Sequence, residues 1–197
     1  MRTENIARNL LIEQYLSQVY ADHPYGRPVI GPMENIVYFD YGSAYDFYRK
    51  YYAPNNTTIA LVGDLEFSSS EALVRKYFGN LERQHIGHDS HPAPARRFLE
   101  VQLKSPGSPF LLMGWFKPAL PHADNLRLEL LASILANSSD ARLSRSLVME
   151  QKVAASISAY ASFPGDRHEN LFVLMAVPAR GVSYATLESA IEKEIEI

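Results

Sequence analysis

The sequence predicts an α+β protein, with a sheet rich in antiparallel strands and with helices on one face of that sheet. The main observation is the order of segments in the second half, where apolar or β-branched runs and amphipathic runs follow one another as ββααββα. Neighbouring strands that are joined by short turns pair antiparallel, whereas parallel strands need long crossovers. A second observation is that the first half is mainly helical, with a single strand-like run. Grouped strands and grouped helices are typical of the α+β class.

The chain begins with a helix signal followed by a loop signal. Apolar residues recur at helical spacing over residues 3–20, which predicts a helix there. Prolines and glycines crowd residues 23–32, so this run is predicted as loop, with His23 hydrogen-bonded locally in the turn. A second helix is predicted over residues 43–52, because tyrosines share one of its faces and Pro54 ends it.

The rest of the first half predicts one strand and one more helix. Residues 57–63, "TTIALVG", are apolar, β-branched and bounded by turn residues, which indicates a buried strand. Ser68 and Glu71 have the spacing of a capping box, so a helix is predicted to open at Ser68 and to end near Phe78. The aromatic side chains of the preceding helix are predicted to pack in the core and at its rim. They are Tyr45, Phe47, Tyr48, Tyr51 and Tyr52.

A linker is predicted between two domains. Periodicity is lost around "HIGHDSHPAP", so residues 83–97 are assigned to the linker, residues 1–82 to the first domain and residues 98–197 to the second. The turn "KSPGSP" joins the first two strands of the second domain. Its strands are predicted at residues 98–103, 110–116, 155–161 and 171–177, and its helices at residues 125–135, 141–151 and 184–195.

Charge and cysteine content exclude several functions. The net charge is -3, and the longest basic run is the pair Arg96 and Arg97, whereas a nucleic-acid interface needs clustered positive charge. Nucleic acid is therefore not an expected partner. The chain has no cysteine, which excludes disulfides, cysteine-ligated zinc and thiol catalysis. Its apolar runs are too short for a predicted membrane span.

Several quoted stretches resemble one protein family. "HPYGRPVIG", "MENI", "FYRKYYAPNNTTIALVGDL" and "ALVRKYFGNL" follow one another in an order similar to that of the insulinase, pitrilysin and mitochondrial processing peptidase family of zinc metallopeptidases. "LRLELLASILANSSDARLSRSLVMEQKVAASISAY" resembles the helix-helix-strand stretch of the same family. The resemblance implies the duplicated α/β layers of a metallopeptidase half-molecule, a fold similar to LuxS and to the mitochondrial processing peptidase.

The resemblance also implies where zinc belongs. In this family an H-x-x-E-H motif and a later glutamate hold the metal, and the sequence contains no H-x-x-E-H. Its opening, "MRTENIARNLL", resembles the part just after that glutamate. We therefore expect no catalytic or metal-binding residue in this chain, with residues 1–82 as the end of the zinc domain and residues 98–197 as the non-catalytic domain. Zinc is expected in the full-length parent, a zinc metalloendopeptidase in which this portion helps to form the peptide-binding chamber.

Two positions suggest a partner subunit. Family members that grip the substrate backbone from the opposing half use an arginine and, seven residues later, a tyrosine, and the corresponding places here hold Val148 and Ala155. Neither side chain donates a hydrogen bond. The resemblance therefore implies a peptide substrate bound through the parent, and a second half-molecule subunit that supplies the missing pair. The resemblance also implies that the predicted strand over residues 57–63 has lost the sheet neighbours of an intact first domain. Unpaired strand edges predict self-association of the chain, or weaker order in residues 1–82.

Two alternatives to this function stay open. The first is a structural, non-peptidase member of the same superfamily, similar to the core subunits of respiratory complexes. The second is an unrelated α+β binding module. The sequence leaves the compartment open, with the bacterial periplasm or cell envelope favoured.

Other groups of polar residues have weaker functional signals. Ser139, Asp140 and His168 are residue types of a catalytic triad, but no G-x-S-x-G turn accompanies them, so coincidence is favoured. A second group has the residue types of a metal site and lies in the proline-flanked linker, where no rigid element fixes its geometry. A solvated cluster is therefore favoured for it. This group is His85, His88, Asp89 and His91.

Overall fold

The computed structural model describes residues 2–87, 94 and 109–196, with the side chains of the first helix described from Arg8 onward. The predicted strand over residues 98–103 and most of the "KSPGSP" turn lie outside these ranges. His88, Asp89 and His91 lie outside them as well, so the predicted solvated cluster is described only at His85, which is exposed.

The chain divides into two compact units. The first contains Met1–Pro28 and His91–Ile197, and the second contains Val29–Ser90. The predicted domains, residues 1–82 and 98–197 with a linker between them, stay a prediction. Each unit is described by itself below.

Six α-helices and one π-helix are present among the described residues. The α-helices are α1 (Arg2–Val19), α2 (Met33–Val37), α3 (Tyr41–Tyr51), α4 (Phe67–Phe78), α5 (Asp124–Leu135) and α6 (Tyr184–Glu196), and the π-helix is Ser144–Glu150. Short 3-10 turns occur at Pro24–Gly26 and Pro54–Asn56. The helices predicted over residues 3–20, 43–52, 125–135 and 184–195 are confirmed within two residues at each end.

The first unit contains a three-stranded sheet. Strands β1 (Leu111–Lys117), β2 (Ala154–Phe163) and β3 (Asn170–Pro178) lie in the order β1-β3-β2, and both pairings are antiparallel. The predicted α+β class with antiparallel strands is therefore confirmed. The central strand β3 is buried along almost its whole length, which is typical of a strand covered on both faces.

Helices of the second half cover one face of this sheet, as the segment order predicts. The core on this face joins α5, the π-helix and α6 to β2 and β3. Leu143, Leu147, Leu187 and Ile191 are fully buried there. Burying a side chain of this size contributes about 1.5–3 kcal/mol, so this face accounts for much of the stability of the unit.

Helix α1 covers the opposite face, a placement that the sequence does not predict. Val19 and Tyr20, at its carboxyl end, pack with Leu171, Val173 and Met175 of β3. Tyr20 is only 1% exposed, and its hydroxyl donates to the carbonyl oxygen of Glu169 at 3.3 Å. The amino-terminal helix is thus part of the core around the second-half strands.

Helix α1 lies close to β1 at Gly114. A Cβ atom built on Gly114 would lie 2.7 Å from the hydroxyl oxygen of Tyr15, which is closer than van der Waals contact allows. The Arg8 guanidinium lies 4.7 Å from the ring centroid of Phe110, within cation–π range. Helix α1 therefore packs against Gly114 of β1 and against Phe110, the residue before β1.

The second unit contains α2, α3 and α4, and here the strand prediction is wrong. Residues 57–63 form no strand in the described chain, although the backbone of Thr57 is extended, with φ −118° and ψ 133°. A strand exists only where a neighbouring backbone accepts and donates its hydrogen bonds. The local sequence supplies the composition of a strand, and the described residues supply no neighbour for it.

Two further predictions in this unit are corrected. Helix α4 begins one residue before Ser68, and its N-cap is Glu66, whose carboxylate accepts from the backbone N–H groups of Ser68 and Ser69 at 2.9 and 2.6 Å. The capping box is wrong because this longer side chain reaches the free N–H groups first. The predicted aromatic core around α3 is also wrong for this chain, because α3 has no buried residue.

Candidate functional site

The predicted grip positions lie where an unusual helix meets a strand. Val148 belongs to the π-helix Ser144–Glu150, and Ala155 is the second residue of β2. The sequence predicts an ordinary helix over residues 141–151, but the backbone N–H of Gln151 donates to the carbonyl oxygen of Ser146, five residues earlier, at 2.8 Å. Such wide turns occur mostly as short insertions and are frequent at functional sites.

A strained turn connects the π-helix to β2. Lys152 has a φ of 55°, in the left-handed region that residues with a Cβ atom rarely adopt. Backbone bonds on both sides hold it there. The N–H of Val153 donates to the carbonyl oxygen of Leu147 at 3.0 Å, and the carbonyl of Val153 accepts from the N–H of Ala179 at 2.9 Å.

The two predicted positions have different surroundings. Val148 is half-buried and packs against the core beneath the π-helix. Ala155 is exposed and lies at an irregularity in the pairing of β2 with β3, between Ala154 and Ser156. Both are apolar, so neither holds a peptide carbonyl by hydrogen bonding. That they correspond to lost grip residues stays a prediction.

A polar network that the sequence does not predict holds the π-helix against α6. The Glu194 carboxylate accepts from the Ser146 hydroxyl at 2.6 Å and from the Gln151 amide at 3.2 Å. The Arg142 guanidinium lies 3.5 Å from its other oxygen. Arg142, Ser146 and Glu194 border a shallow depression that Ile134 and Asp140 also line. The bonded residues are more than 40 positions apart in the sequence, so no local sequence pattern predicts the network.

Two histidines of the chain lie in an aromatic cluster. His23 is 3% exposed, and its Nδ1 accepts from the backbone N–H of Tyr25 at 3.1 Å, so the predicted local hydrogen bond is confirmed. Its ring centroid is 5.0 Å from that of His168, and the Tyr25 hydroxyl accepts from the backbone N–H of His168 at 3.2 Å. The cluster joins the turn after α1 to the segment between β2 and β3.

Ser139 and Asp140, which the sequence analysis grouped with His168 as residue types of a catalytic triad, lie in the turn before the π-helix.

A buried lysine fixes the start of α5. Lys117 is 4% exposed, and its ammonium group donates to the side-chain oxygen of Asn125. Burial lowers the pKa of Lys117, and the nearby carboxylates of Asp166 and Glu129 oppose that shift. The Asn125 amide also donates to the carbonyl oxygens of Ala119 and His122, both at 3.0 Å. Asn125 therefore closes the turn that precedes α5.

The resemblance places zinc in the parent, outside this chain. Within the described ranges, no three histidine, aspartate or glutamate side chains are grouped so that they could hold a metal ion. The residues of helix α5, "DNLRLELLASIL", include no histidine. The nearest imidazole along the chain, that of His122, accepts from the backbone N–H of Asp124 at 3.2 Å.

No described helix is both long enough and apolar enough to cross a membrane.

Comparison with known proteins places most of the chain in one family. Residues 38–196 match the family described as Peptidase M16 inactive domain. A relative, the zinc protease PqqE of Helicobacter pylori, is 24% identical over 202 residues, which covers 98% of this chain and 44% of that protein. The chain therefore spans less than half the length of this relative.

Solved structures show the same fold. The peptidase M16 inactive domain from Pseudomonas fluorescens superposes with a TM-score of 0.77 at 18% identity, covering 99% of this chain and 47% of that chain. A chain of complex III2 from Candida albicans superposes with a TM-score of 0.68 at 15% identity, covering 98% of this chain and 54% of that chain.

Proposed function

Because the chain belongs to the peptidase M16 inactive-domain family, we propose that it is the non-catalytic portion of a zinc metalloendopeptidase and helps to enclose the peptide substrate of its parent protein. The family match over residues 38–196 carries this proposal. The name of the Helicobacter pylori relative, a zinc protease of which the chain covers 44%, supports it. The zinc ligands and the residues that activate water belong to the part of the parent outside this chain.

The proposed role of the chain is to help enclose an extended peptide, while a partner holds its backbone. Substrate-binding energy from groups away from the reacting bond serves to orient that bond, and correct positioning lowers the barrier by several kcal/mol. The junction of the π-helix and β2 is the element of this chain proposed to face the peptide. With Val148 and Ala155 at its two grip positions, it lacks the hydrogen-bond donors for this task. We propose that a second half-molecule subunit supplies them.

A second candidate function is a structural role without peptidase activity. The likeness to a chain of complex III2 from Candida albicans, with a TM-score of 0.68, supports it at the level of the fold alone. The two candidates make different demands on the parent. An enzyme needs an H-x-x-E-H motif and bound zinc, whereas a structural subunit needs neither.

The test is to express the parent protein from its full reading frame, beside residues 1–197 alone. We expect the parent to contain H-x-x-E-H, to hold one zinc ion and to cleave an unstructured peptide, and residues 1–197 to do none of these. Zinc that folds a protein binds with on the order of 10 kcal/mol, so calorimetry or metal analysis detects it. Tight one-to-one zinc retention by residues 1–197 after dialysis would overturn the proposal. A parent without the motif and without hydrolysis would favour the structural candidate.

A further inference from the structure

Helix α5 is apolar on two sides. Its inner side packs in the core of the first unit through residues such as Ala132 and Leu135. On its outer side four aliphatic side chains stay exposed: Leu126 is 75%, Leu130 62%, Leu131 41% and Ile134 55% exposed. We call these four residues the outward face of α5. A helix at the surface normally has polar residues opposite its core side, so core packing does not explain the composition of this face.

The outward face continues onto the π-helix. Ile134, at the carboxyl end of α5, lines the shallow depression together with Arg145 and Glu150 of the π-helix. Met149 of the same helix is also exposed. The apolar surface therefore leads from α5 toward the junction of the π-helix and β2, which is the element proposed to face the peptide.

Charged side chains beside this surface are paired within the chain. The Arg127 guanidinium lies 2.6 Å from the Asp124 carboxylate at the start of α5, and the Arg145 guanidinium lies 3.0 Å from the Glu150 carboxylate at the depression. Each pair combines one positive with one negative charge, so the pairs give the surface no preference for a partner of either sign. Apolar contact is therefore the chemistry by which the outward face selects what it binds.

The spacing of the outward face fits an extended peptide. Leu126, Leu130 and Ile134 follow one another at every fourth residue, which places them about 6 Å apart along the helix axis. Side chains on one side of an extended chain recur at every second residue, about 6.4–6.8 Å apart. A peptide that lies along α5 can therefore place alternate side chains over successive members of the face.

The area of the outward face favours a short peptide over a stable protein partner. Full burial of an aliphatic side chain of this size removes roughly 60–120 Å² of apolar surface from water. At the exposures of its four members, the face offers roughly 150–300 Å² in all. A stable interface buries about 800 Å² on each partner. The face is thus too small to hold a second copy of the chain and suits a segment that binds and leaves.

We infer that the outward face of α5 is a subsite for aliphatic side chains at alternate positions of an extended peptide. This inference rests on the proposed function and names its substrate class, which is unfolded polypeptide with an apolar residue at every second position. The face contacts side chains only, because its own side chains neither donate nor accept hydrogen bonds. It therefore leaves the backbone of the peptide to the proposed partner subunit.

Methyl NMR of residues 1–197 tests the inference directly. Two soluble peptides of equal length are added in turn, one with leucine and the other with serine at alternate positions. The leucine peptide is expected to shift the methyl signals of Leu130 and Ile134, and the serine peptide to leave them unchanged. The signals are specific to α5, so binding to apolar surface elsewhere in the chain does not imitate this result. No shift with the leucine peptide would overturn the inference.

A pair of matched variants adds a second measurement. Leu130→Gln replaces an apolar member of the face with a polar residue of similar helix propensity, and it is expected to weaken binding of the leucine peptide by about 10-fold, as read from the Ile134 methyl signal. Ile195→Gln is the control, because Ile195 is 43% exposed on α6 of the same unit, and it should leave binding unchanged. Equal binding by both variants would contradict the inference.

The same variants detect other occupants of the face. Both are expected to melt within about 2 °C of the unsubstituted chain, because substitutions of exposed residues change stability little. A much lower melting temperature for Leu130→Gln alone would show that the chain itself covers the face, and it would overturn the inference. Shifts of the Leu130 and Ile134 methyl signals that grow with protein concentration, without any peptide, would overturn it in favour of pairing between copies.

Measurements on the full-length parent separate the inference from the proposed function. In an active parent, Leu130→Gln is expected to raise KM for the leucine peptide by about 10-fold, with kcat unchanged and with no effect on the serine peptide. A parent that cleaves both peptides with KM unmoved by this variant refutes the inference alone. Specific methyl shifts, together with a parent that neither holds zinc nor cleaves peptides, support the peptide subsite and refute the proposed function.

Discussion

At the scale of single residues, Lys152 carries backbone strain at the turn into β2. Its φ of 55° places the Cβ atom close to the following carbonyl oxygen, which costs about 1–2 kcal/mol for a residue other than glycine. The flanking bonds from Val153 to Leu147 and from Ala179 to Val153 hold the conformation against this cost. The strain lies next to the candidate site, where such strain commonly persists.

We predict that Lys152→Gly stabilises the chain. Glycine removes the steric cost but loses more conformational entropy on folding, so the net gain in the free energy of unfolding is expected to be about 0.5–1 kcal/mol. Lys152→Ala is the control, because alanine keeps the Cβ atom and should leave the strain in place. Urea unfolding of the three proteins measures the difference. A glycine variant no more stable than the alanine variant would show that the turn stores no such strain.

Glu66 makes the first turn of α4 sensitive to acid. Hydrogen bonds from the backbone N–H groups of Ser69 and Ser68 lower the pKa of Glu66 from its usual value of 4.5 to about 2. A carboxyl group whose pKa is lower in the folded state stabilises that state above the unfolded pKa, and this contribution is lost as the pH falls. The loss should therefore fall between about pH 4.5 and about pH 2.

We predict that the amide chemical shifts of Ser68 and Ser69 titrate together, with a midpoint near pH 2, as the cap is released. Glu66→Gln keeps an acceptor oxygen but has no ionisable group, so the same shifts should be flat over this range. Far-ultraviolet circular dichroism should show a small loss of helix for the native chain alone. A midpoint at the pH of an unperturbed glutamate would mean that the two N–H bonds do not form in solution.

At the scale of elements, α1 covers the face of the second-half sheet that the other helices leave open. Tyr20 is 1% exposed, and its ring lies against those of Tyr25 and Phe116, with centroids 5.6 and 6.1 Å away. Burial raises the pKa of its hydroxyl above the usual value. Without this helix, Leu171 and Val173 of β3 would be exposed to water.

We predict that Tyr20→Ala lowers the free energy of unfolding of the sheet unit by about 3–5 kcal/mol, the cost of truncating a large buried side chain. Tyr48→Ala is the matched control, because Tyr48 lies on a helix but is 56% exposed, and its effect should stay within about 0.5 kcal/mol. Urea unfolding followed by the fluorescence of Trp115, which lies in β1, reports on the sheet. Similar losses for both variants would show that α1 is not part of this core.

Periodicity and turn residues predicted most elements of the described chain because these signals are local. Helices α1, α3, α5 and α6 and the three strands follow from them within a few residues. Residues 57–63 show the limit, since they have the composition of a strand but form none in the described part of the chain. The Glu66 cap was missed because two acceptors competed for the same N–H groups. The side of the sheet that α1 covers depends on contacts more than 100 residues away in sequence.

The candidate site was predictable only as a pair of positions. Resemblance singled out Val148 and Ala155, and the structure places them on adjoining elements. The π-helix was not predicted, because the contacts that accompany its five-residue bond, from Glu194 of α6 to Ser146 and Gln151, join residues more than 40 positions apart. The buried pair of Lys117 and Asn125 was also missed, because a lysine at the end of a strand normally extends into solvent.

At the scale of the whole molecule, the chain resembles only part of each long relative that it matches. Its family match identifies the inactive domain, and its relatives are more than twice its length. That the metal site lies in another part of the parent stays a proposal. The predicted bacterial periplasmic or cell-envelope location stays a prediction, and fractionation of cells that express the parent would test it.

The last prediction concerns the parent protein and its partner. With the apolar Val148 and Ala155 at the predicted grip positions, the parent is expected to hold a peptide poorly by itself, because extended substrates are held in register by backbone hydrogen bonds. We predict low peptidase activity for the parent alone and a gain on the order of 100-fold when a half-molecule that supplies an arginine and a tyrosine is added, since misplacement of the reacting bond costs about that much.

The double variant Val148→Arg with Ala155→Tyr should partly restore activity to the parent without a partner, because two copies related by two-fold symmetry would then supply both functions. Val148 is half-buried, so the new guanidinium must extend past the core to reach solvent. Met149→Arg with Ala155→Tyr is the control, since Met149 is 55% exposed and places the charge one residue away. Peptide hydrolysis and sedimentation are measured together, so that activity is assigned to a dimer. Full activity of the unsubstituted parent alone, unchanged by any partner, would contradict the prediction, because a single subunit would then position the peptide without the missing pair.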